Sequence, residues 1–428
     1  MVLVPVRFWC FFQKKDGHTY MCKWVSRMGQ LFSSSPSAST NNDPPALLKP
    51  AIDGDLDTIR KLVGTFIASY SIEEDGTNTS TDKSGSPDPQ LTSYASQTDQ
   101  QQNSALHGAV FGGHLNVVSF LIETCGCSLS DKNEMGCSPI WIAAGYGHTD
   151  ILKYLIRRVI TTLKQKHPEE PKKENAELIR MLLDANNGGD TPLLAAASKG
   201  NDECCTILLE SCPSIDAAKT MIKTKNNGGD VPLGVAVGSG HGGNMVEILL
   251  QFESAAHGHN NNNINGGDAT PLDTLNHQNK KMLTPLLIAC ERNFSEIVST
   301  LIDHGAKPLC DAQGRSPLAV ASFCGCMDVT EMLLSLEMGK ALLDVVDDGG
   351  CTPLWLAART GNVKMTNLLL NAGANETIAD KRDSLSPEGV AKKYDKKALM
   401  EFFDKRRQTQ EEQQEGVNTS VQDKDEST

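Results

Sequence analysis

Apolar and polar positions between residues 104 and 403 alternate in a fixed order. A polar turn with glycine comes first, then a short apolar segment, then a second glycine. A longer stretch follows in which aliphatic residues recur every three or four positions. One round runs through Gly136, Ser138, Pro139, Ile140, Ala143, Ala144 and Gly147, then Ile151, Leu152, Leu155 and Ile156. A second begins at Gly189 and passes Thr191, Pro192, Ala196, Ala197 and Gly200 before the apolar run 205–209. Further rounds start at Gly229, Thr284, Gly314 and Gly350, and one without proline starts at Ser104. The three-to-four spacing predicts helices, and the glycines predict breaks between them. Each round is therefore a pair of short antiparallel helices.

The spacing of the rounds is regular where nothing intervenes: 34 residues from Ala105 to Pro139, 32 from Pro285 to Pro317, 36 to Pro353 and 34 to Pro387. Three steps are longer, at 53, 40 and 53 residues, and polar material fills them. Thr or Ser before Pro is a helix start, because the hydroxyl accepts from an orphan amide and proline has no amide to satisfy there. Paired alanines such as Ala357 and Ala358 let neighbouring helices approach closely. A pair of such helices cannot bury its apolar face alone, so the units must stack.

The phrase from Gly350 to Ala374, with Thr352, Pro353, Leu354, Ala357, Ala358, Gly361, Leu369, Leu370, Gly373 and Ala374, resembles the ankyrin repeat family. The resemblance covers roughly residues 47–403. It implies an all-α fold, an ankyrin-type helical solenoid with short inter-repeat turns and with disordered inserts and tails. About seven or eight stacked units are expected. The family histidine after Thr-Pro-Leu survives as His107; Trp141, Leu194, Gly234, Leu287, Ala319 and Trp355 stand at the other copies. Val231 replaces the capping hydroxyl, so the copy at 229–250 is expected to be irregular. Thr270, Pro271 and Leu272 read as an abortive start.

These patterns divide the chain into a disordered leader at 1–46, a partial N-terminal unit at 47–70, a disordered insert at 71–103, the array at 104–403 and a disordered polar tail at 404–428. Within the array, inserts are expected near 157–175 and 255–280. The charged stretch 164–173, with Pro168 and Pro171, should break or extend an outer helix.

Composition narrows the function. The 428 residues carry a formal charge of −13 with aromatics at only 5%, so the core must be aliphatic and no basic patch recruits nucleic acid. No apolar run is long enough for a membrane-spanning helix. Thirteen cysteines, an odd number set within apolar helical patterns, read as buried thiols in a reducing compartment. A cytoplasmic location follows, with the nucleus or a membrane surface as alternatives. Met28, Gly29 and Ser33 match an N-myristoylation pattern, which would give weak lipid attachment only if translation starts at Met28.

Candidate chemistry is sparse. Gly238, Gly240 and Gly243 match a dinucleotide fingerprint, but it needs a strand before it and an acidic residue about 20 positions on. A glycine-rich turn between helices fits the register better. His257 and His259 in a polar tract fit adventitious metal contact rather than a closed site. His114, His148 and His241 follow the helix-ending glycine, where the resemblance implies a structural hydrogen bond. No catalytic residue, cofactor or structural metal is assigned. The resemblance implies a protein-interaction module or scaffold that binds an unidentified protein through the concave face. The alternatives are an adaptor in a ubiquitin-ligase or membrane-proximal assembly and, less favoured, a nucleotide-dependent enzyme using residues 238–243. Family geometry carried to matching positions nominates Phe111, Tyr146, Lys199, Glu291, Arg292, Phe323 and Arg359, with Arg315 in a turn. Trp141 and Trp355 fit packing between repeats equally well.

Overall fold

Proline at the first helical position and a hydroxyl before it start most of the inner helices of the computed structural model, which describes residues 46–71, 87–240, 242–258, 273–409 and 411. In chain order the first helices are α1 (Leu48–Asp53), α2 (Leu56–Ser71), α3 (Pro89–Ala95), α4 (Ala105–Gly112), α5 (Leu115–Glu123), α6 (Pro139–Tyr146), α7 (Thr149–Lys166) and α8 (Pro171–Leu182). The middle holds α9 (Pro192–Lys199), α10 (Asp202–Glu210), α11 (Ile215–Lys223), α12 (Pro232–Ser239), α13 (Gly242–Gly258), α14 (Pro285–Glu291) and α15 (Ser295–Asp303). Then come α16 (Pro317–Cys324), α17 (Met327–Ser335), α18 (Glu337–Ala341), α19 (Pro353–Thr360), α20 (Val363–Asn371), α21 (Pro387–Lys393) and α22 (397–409). The described chain is all-α; no strand forms among these residues.

The caps work as the composition of the turns predicts. The hydroxyls of Ser138, Thr191, Thr284, Ser316, Thr352 and Ser386 each accept an amide hydrogen from the third residue of the helix they start. Gly147, Gly200, Gly325 and Gly361 end their helices in the left-handed region, where a side chain would be strained. Asn293 and Asp395 take that conformation where the glycine is missing, at φ 61° and 49°.

Two rows of helices result. One runs α1, α4, α6, α9, α12, α14, α16, α19, α21, each packed on the next. The other runs α5, α7, α10, α13, α15, α17. The core lies between them and is aliphatic: Leu193, Leu194, Leu208, Leu286, Leu301, Leu318, Leu333, Leu354 and Leu369 are completely buried. Burial of each such leucine contributes roughly 1.5–3 kcal/mol. Stacking alanines such as Ala143, Ala144, Ala196 and Ala357 are equally inaccessible.

Several expectations need correction. The segment 71–103 is not disordered throughout, because α3 and a hydrogen-bonded turn occupy 87–103. The tail expected from 404 stays helical to 409, since Phe403 is buried and carries α22 onto the last unit. The copy at Gly229 is regular: α12 forms without a side-chain cap, at the same extended Val231 backbone as its sisters. The charged stretch at 164–173 extends an outer helix and then breaks it, as its composition and prolines predicted. Helix α7 reaches Lys166, the chain turns, and α8 returns from Pro171 along α7. There His167 is buried, its Nε2 3.0 Å from a Glu177 carboxylate oxygen. The longer step before α12 contains a further helix, α11, that packs against α13. The leader, the abortive start at Thr270, and His241, His259 and the His257 side chain lie outside the described residues.

Candidate interaction surface

The surface is built on the turns that precede each first helix. Six residues before the helix start stands an Asn or Asp whose side-chain oxygen accepts amide hydrogens from the residues two and four further on. Asn133 accepts from Met135 and Cys137, Asn186 from Gly188 and Asp190, and Asn226 from Gly228 and Asp230. Asn279 accepts from Lys281 and Leu283, and Asp311 from Gln313 and Arg315. This local bonding is what fixes the tight turn.

The turns are stitched to one another. The amide of Glu134 donates to the Gln101 carbonyl at 2.8 Å, Asn187 to Met135 at 3.0 Å, Asn227 to Gly188 at 3.0 Å and Lys280 to Gly228 at 3.1 Å. Asp348 donates to Gln313 and Lys381 to Gly349. Side chains add a second line. Asn226 Nδ2 donates to Asp190 at 3.0 Å, and Asn279 Nδ2 donates to Asp230 at 2.7 Å. Burial raises the Asp190 carboxyl above the usual carboxylate range, against the hydrogen bonds from Asn226 and Asn186 that lower it.

Residues after the helix-ending glycine tie first helices together. His114 Nε2 donates to the Ile52 carbonyl at 2.9 Å, and His148 Nε2 to that of Phe111 at 3.0 Å. Asn201 Nδ2 reaches the Ala144 and Gly145 carbonyls. These histidines therefore have the structural role that their position implied. The two tryptophans belong to the same scheme. Trp141 Nε1 donates to the Asp190 carbonyl at 2.8 Å and Trp355 Nε1 to that of Leu385 at 2.9 Å, each crossing to the next unit. His107, at the same helix position, also crosses to the next unit but to a different carbonyl, that of Asp131 at 3.2 Å, and burial depresses its imidazole pKa.

The nominated residues separate into groups. Phe111 and Tyr146, on adjacent units, meet edge to face with centroids 4.8 Å apart. The Tyr146 hydroxyl is pushed up to about 12, chiefly by burial. Lys199 ends α9, half-buried. Glu291 and Arg292 are both exposed at the end of α14. Arg315 pairs with the buried Asp311 at 2.6 Å, and its guanidinium lies 5.5 Å from the Phe323 ring centroid. Arg359 is exposed, with its guanidinium 5.8 Å from the Trp355 ring and 5.9 Å from the Tyr394 ring. Lys393 stands over Tyr394 as well and pairs with Asp383.

Sequence reasoning missed Tyr394 and Lys393. Tyr394 is 47% exposed, the most accessible large ring or aliphatic side chain among the described residues. Its register was the available signal: it stands seven residues after Pro387, as Tyr146 stands seven after Pro139. These residues line a cleft of ≈ 380 Å³ at the last two turns, together with Trp355 and Arg359.

The glycine-rich segment at 238–243 joins helix α12 to helix α13, and Gly240 is the left-handed residue between them. A helix stands where a dinucleotide fingerprint requires a strand. The described cysteines are free thiols. Burial raises most of them, Cys125 to about 11 and Cys127 to about 12, so their nucleophilic thiolate forms are scarce at neutral pH. Among the described residues no helix is long and apolar enough to cross a membrane.

Comparison with known proteins agrees with this architecture. A model of ankyrin repeats matches residues 51–165, 172–263 and 262–341, and a single-repeat model matches 349–381. The chain is 40% identical over 100 residues to the ankyrin repeat protein nuc-2 of Neurospora crassa, a match that covers 23% of this chain and 9% of that one. It is 34% identical over 98 residues to the human transient receptor potential cation channel subfamily A member 1, covering 21% and 9%. Over 58 residues it is 32% identical to the 26S proteasome non-ATPase regulatory subunit 10 of Dictyostelium discoideum, covering 14% and 25%. The chain thus spans only a small part of the relatives it matches.

Proposed function

Because the chain belongs to the ankyrin repeat family, we propose that it is a non-catalytic scaffold that binds another protein along the concave side of the stack. That side carries the ends of the first helices and the turns before them. One observation supports this most: ring or basic side chains recur near the ends of several first helices. Phe111, Tyr146, Phe323, Arg359 and Tyr394 all lie six or seven residues after the helix start. Aromatic and arginine side chains are those that anchor protein interfaces. Helices and stitched turns hold them, so little ordering entropy opposes binding. The buried, high-pKa thiols suit a reducing compartment such as the cytoplasm.

The test is quantitative recovery of native partners on the full chain and on a double variant, Arg292→Glu with Arg359→Glu. Both side chains are exposed, so folding should survive. Partners recovered by the wild type should fall several-fold with the variant. Unchanged recovery would show that the partner docks elsewhere.

A further inference from the structure

We infer that the cleft at the last two turns is an anchor for a single carboxylate side chain in an extended segment of a partner protein, with Arg359 as the residue that grips it. The inference rests on the protein-binding reading above and gives it a ligand chemistry. The guanidinium of Arg359 lies within cation–π range of two rings, 5.8 Å from the Trp355 centroid and 5.9 Å from that of Tyr394. Trp355 is itself fixed, because its indole N–H is spent on the Leu385 carbonyl. These ring contacts leave the five N–H donors of the guanidinium unused. Among the described residues no carboxylate forms an ion pair with Arg359 and no acceptor takes a hydrogen bond from it. Arg382 also lines the cleft and could lend a second guanidinium, while two other basic neighbours are engaged. Arg315 is occupied by Asp311 and Gln313, and Lys393 by Asp383. A planar guanidinium fork without a partner fits a carboxylate in bidentate fashion.

The surroundings decide which anion. Asp347, Asp348, Asp380 and Asp383 also line the cleft. Burial would raise the Asp380 carboxyl, but the amides of Asp383, Leu385 and Arg382 outweigh it and hold it below the usual range. Asp380 is therefore a fixed negative charge. A phosphate or a polyanion would meet these carboxylates at close range, and like charges in proximity repel. One carboxylate on a segment that is otherwise neutral or basic brings a single negative charge to the arginine and incurs the least of that repulsion. The exposed ring of Tyr394 offers an apolar or aromatic neighbour of that carboxylate a surface to lie on.

Random 16-residue peptides displayed on phage and selected on the full chain provide the test. The enriched peptides are then synthesised with each Asp or Glu and with the matching amide. Peptides sharing one acidic residue support the assignment if changing that residue to its amide weakens binding at least tenfold. Arg359→Gln should impose the same loss and abolish the difference between acid and amide. Arg359→Lys, which keeps the charge but not the fork, should recover only part of it. Quenching of tryptophan fluorescence by the acidic peptide should vanish in Trp355→Phe. Peptides that bind but respond to Arg292→Gln and not to Arg359→Gln would overturn the cleft while leaving the scaffold reading intact. Enrichment of peptides without an acid, equal binding of poly-glutamate and of a phosphopeptide, or no enrichment at all would each overturn it.

Discussion

At the residue scale, the structure depends on a few polar side chains that do two tasks each. The Asn226 oxygen closes its own turn through two amides, and its Nδ2 donates to Asp190 of the preceding unit. Asn226→Ala should therefore cost about 2–4 kcal/mol in chemical denaturation, since it leaves two amides without their acceptor and removes one hydrogen bond from the Asp190 carboxylate. Asn227→Ala, which removes only an exposed amide that donates to the Asn187 carbonyl, should cost less than about 1 kcal/mol. Asp190 brings a pH dependence. Burial raises its folded-state carboxyl pKa above the unfolded value, so the folded state holds this proton more tightly. Its contribution is most favourable below the unfolded value near 3.8, falls as pH rises through the raised folded value, and is constant above that. Asp190→Asn keeps an oxygen to accept from Asn226 and removes the titration. The variant's stability relative to wild type should rise with pH across that interval. Urea midpoints measured between pH 4 and 7 will show it; a constant difference would mean that Asp190 does not titrate as the structure implies.

At the element scale, α12 lacks the hydroxyl cap of its sister proline-started helices and is easy to improve. Val231 has no side-chain oxygen to cap it, although its φ of −89° and ψ of 162° match those of the capping Thr191 and Thr284 closely. Gly234 lies in the first turn of the helix, and a Cβ built there meets no atom within 4 Å. Gly234→Ala should stabilise the chain by about 1 kcal/mol, and Val231→Thr by about 0.5–1 kcal/mol through the restored cap. Thermal or urea unfolding of the two single variants will measure both. The helical pairs were legible in the sequence because their markers are local: a hydroxyl, a proline, a glycine and an aliphatic stripe. Helix α3 was not, because Ser, Thr and Gln around Leu91 and Ala95 give a polar average to a segment whose two apolar residues are buried. Helix α11 was missed for a related reason. It carries Ala217, Ala218, Met221 and Ile222 in a gap between repeats, where the repeat rhythm offered no register to place them. The candidate surface was legible to the extent that register determines it. Phe323 and Arg359 followed from sister positions, whereas the pairing of Arg359 with Tyr394 joins residues of different units and has no local signal.

At the scale of the whole molecule, the ladder of turns has one gap. The amide one position after the turn-closing Asn or Asp donates to the preceding turn at Glu134, Asn187, Asn227, Lys280, Asp348 and Lys381. At the equivalent place, Ala312, no such bond reaches Lys281 among the described residues. A side-chain bond from Gln278 to the Cys310 carbonyl at 3.0 Å stands nearby instead. The amide-to-carboxylate line stops at the same junction for a chemical reason. Leu283 occupies the position of Asp190 and Asp230 and offers no acceptor, and Asp311 occupies the position of Asn226 and Asn279 and offers no donor. Helices α14 and α16 still pack together there, so the stack continues while its polar seam does not. In a linear array stability is a sum over neighbouring interfaces, and a weaker interface separates two blocks that open independently. Native-state hydrogen exchange should therefore find Ala312 exchanging faster than the six ladder amides. The amides of Asn187, Asn227 and Lys280 should share one opening free energy, and those of Asp348 and Lys381 another. Equal protection at Ala312 and a single opening energy on both sides would mean that helix packing alone couples the array, and that the turn ladder adds nothing to its cooperativity.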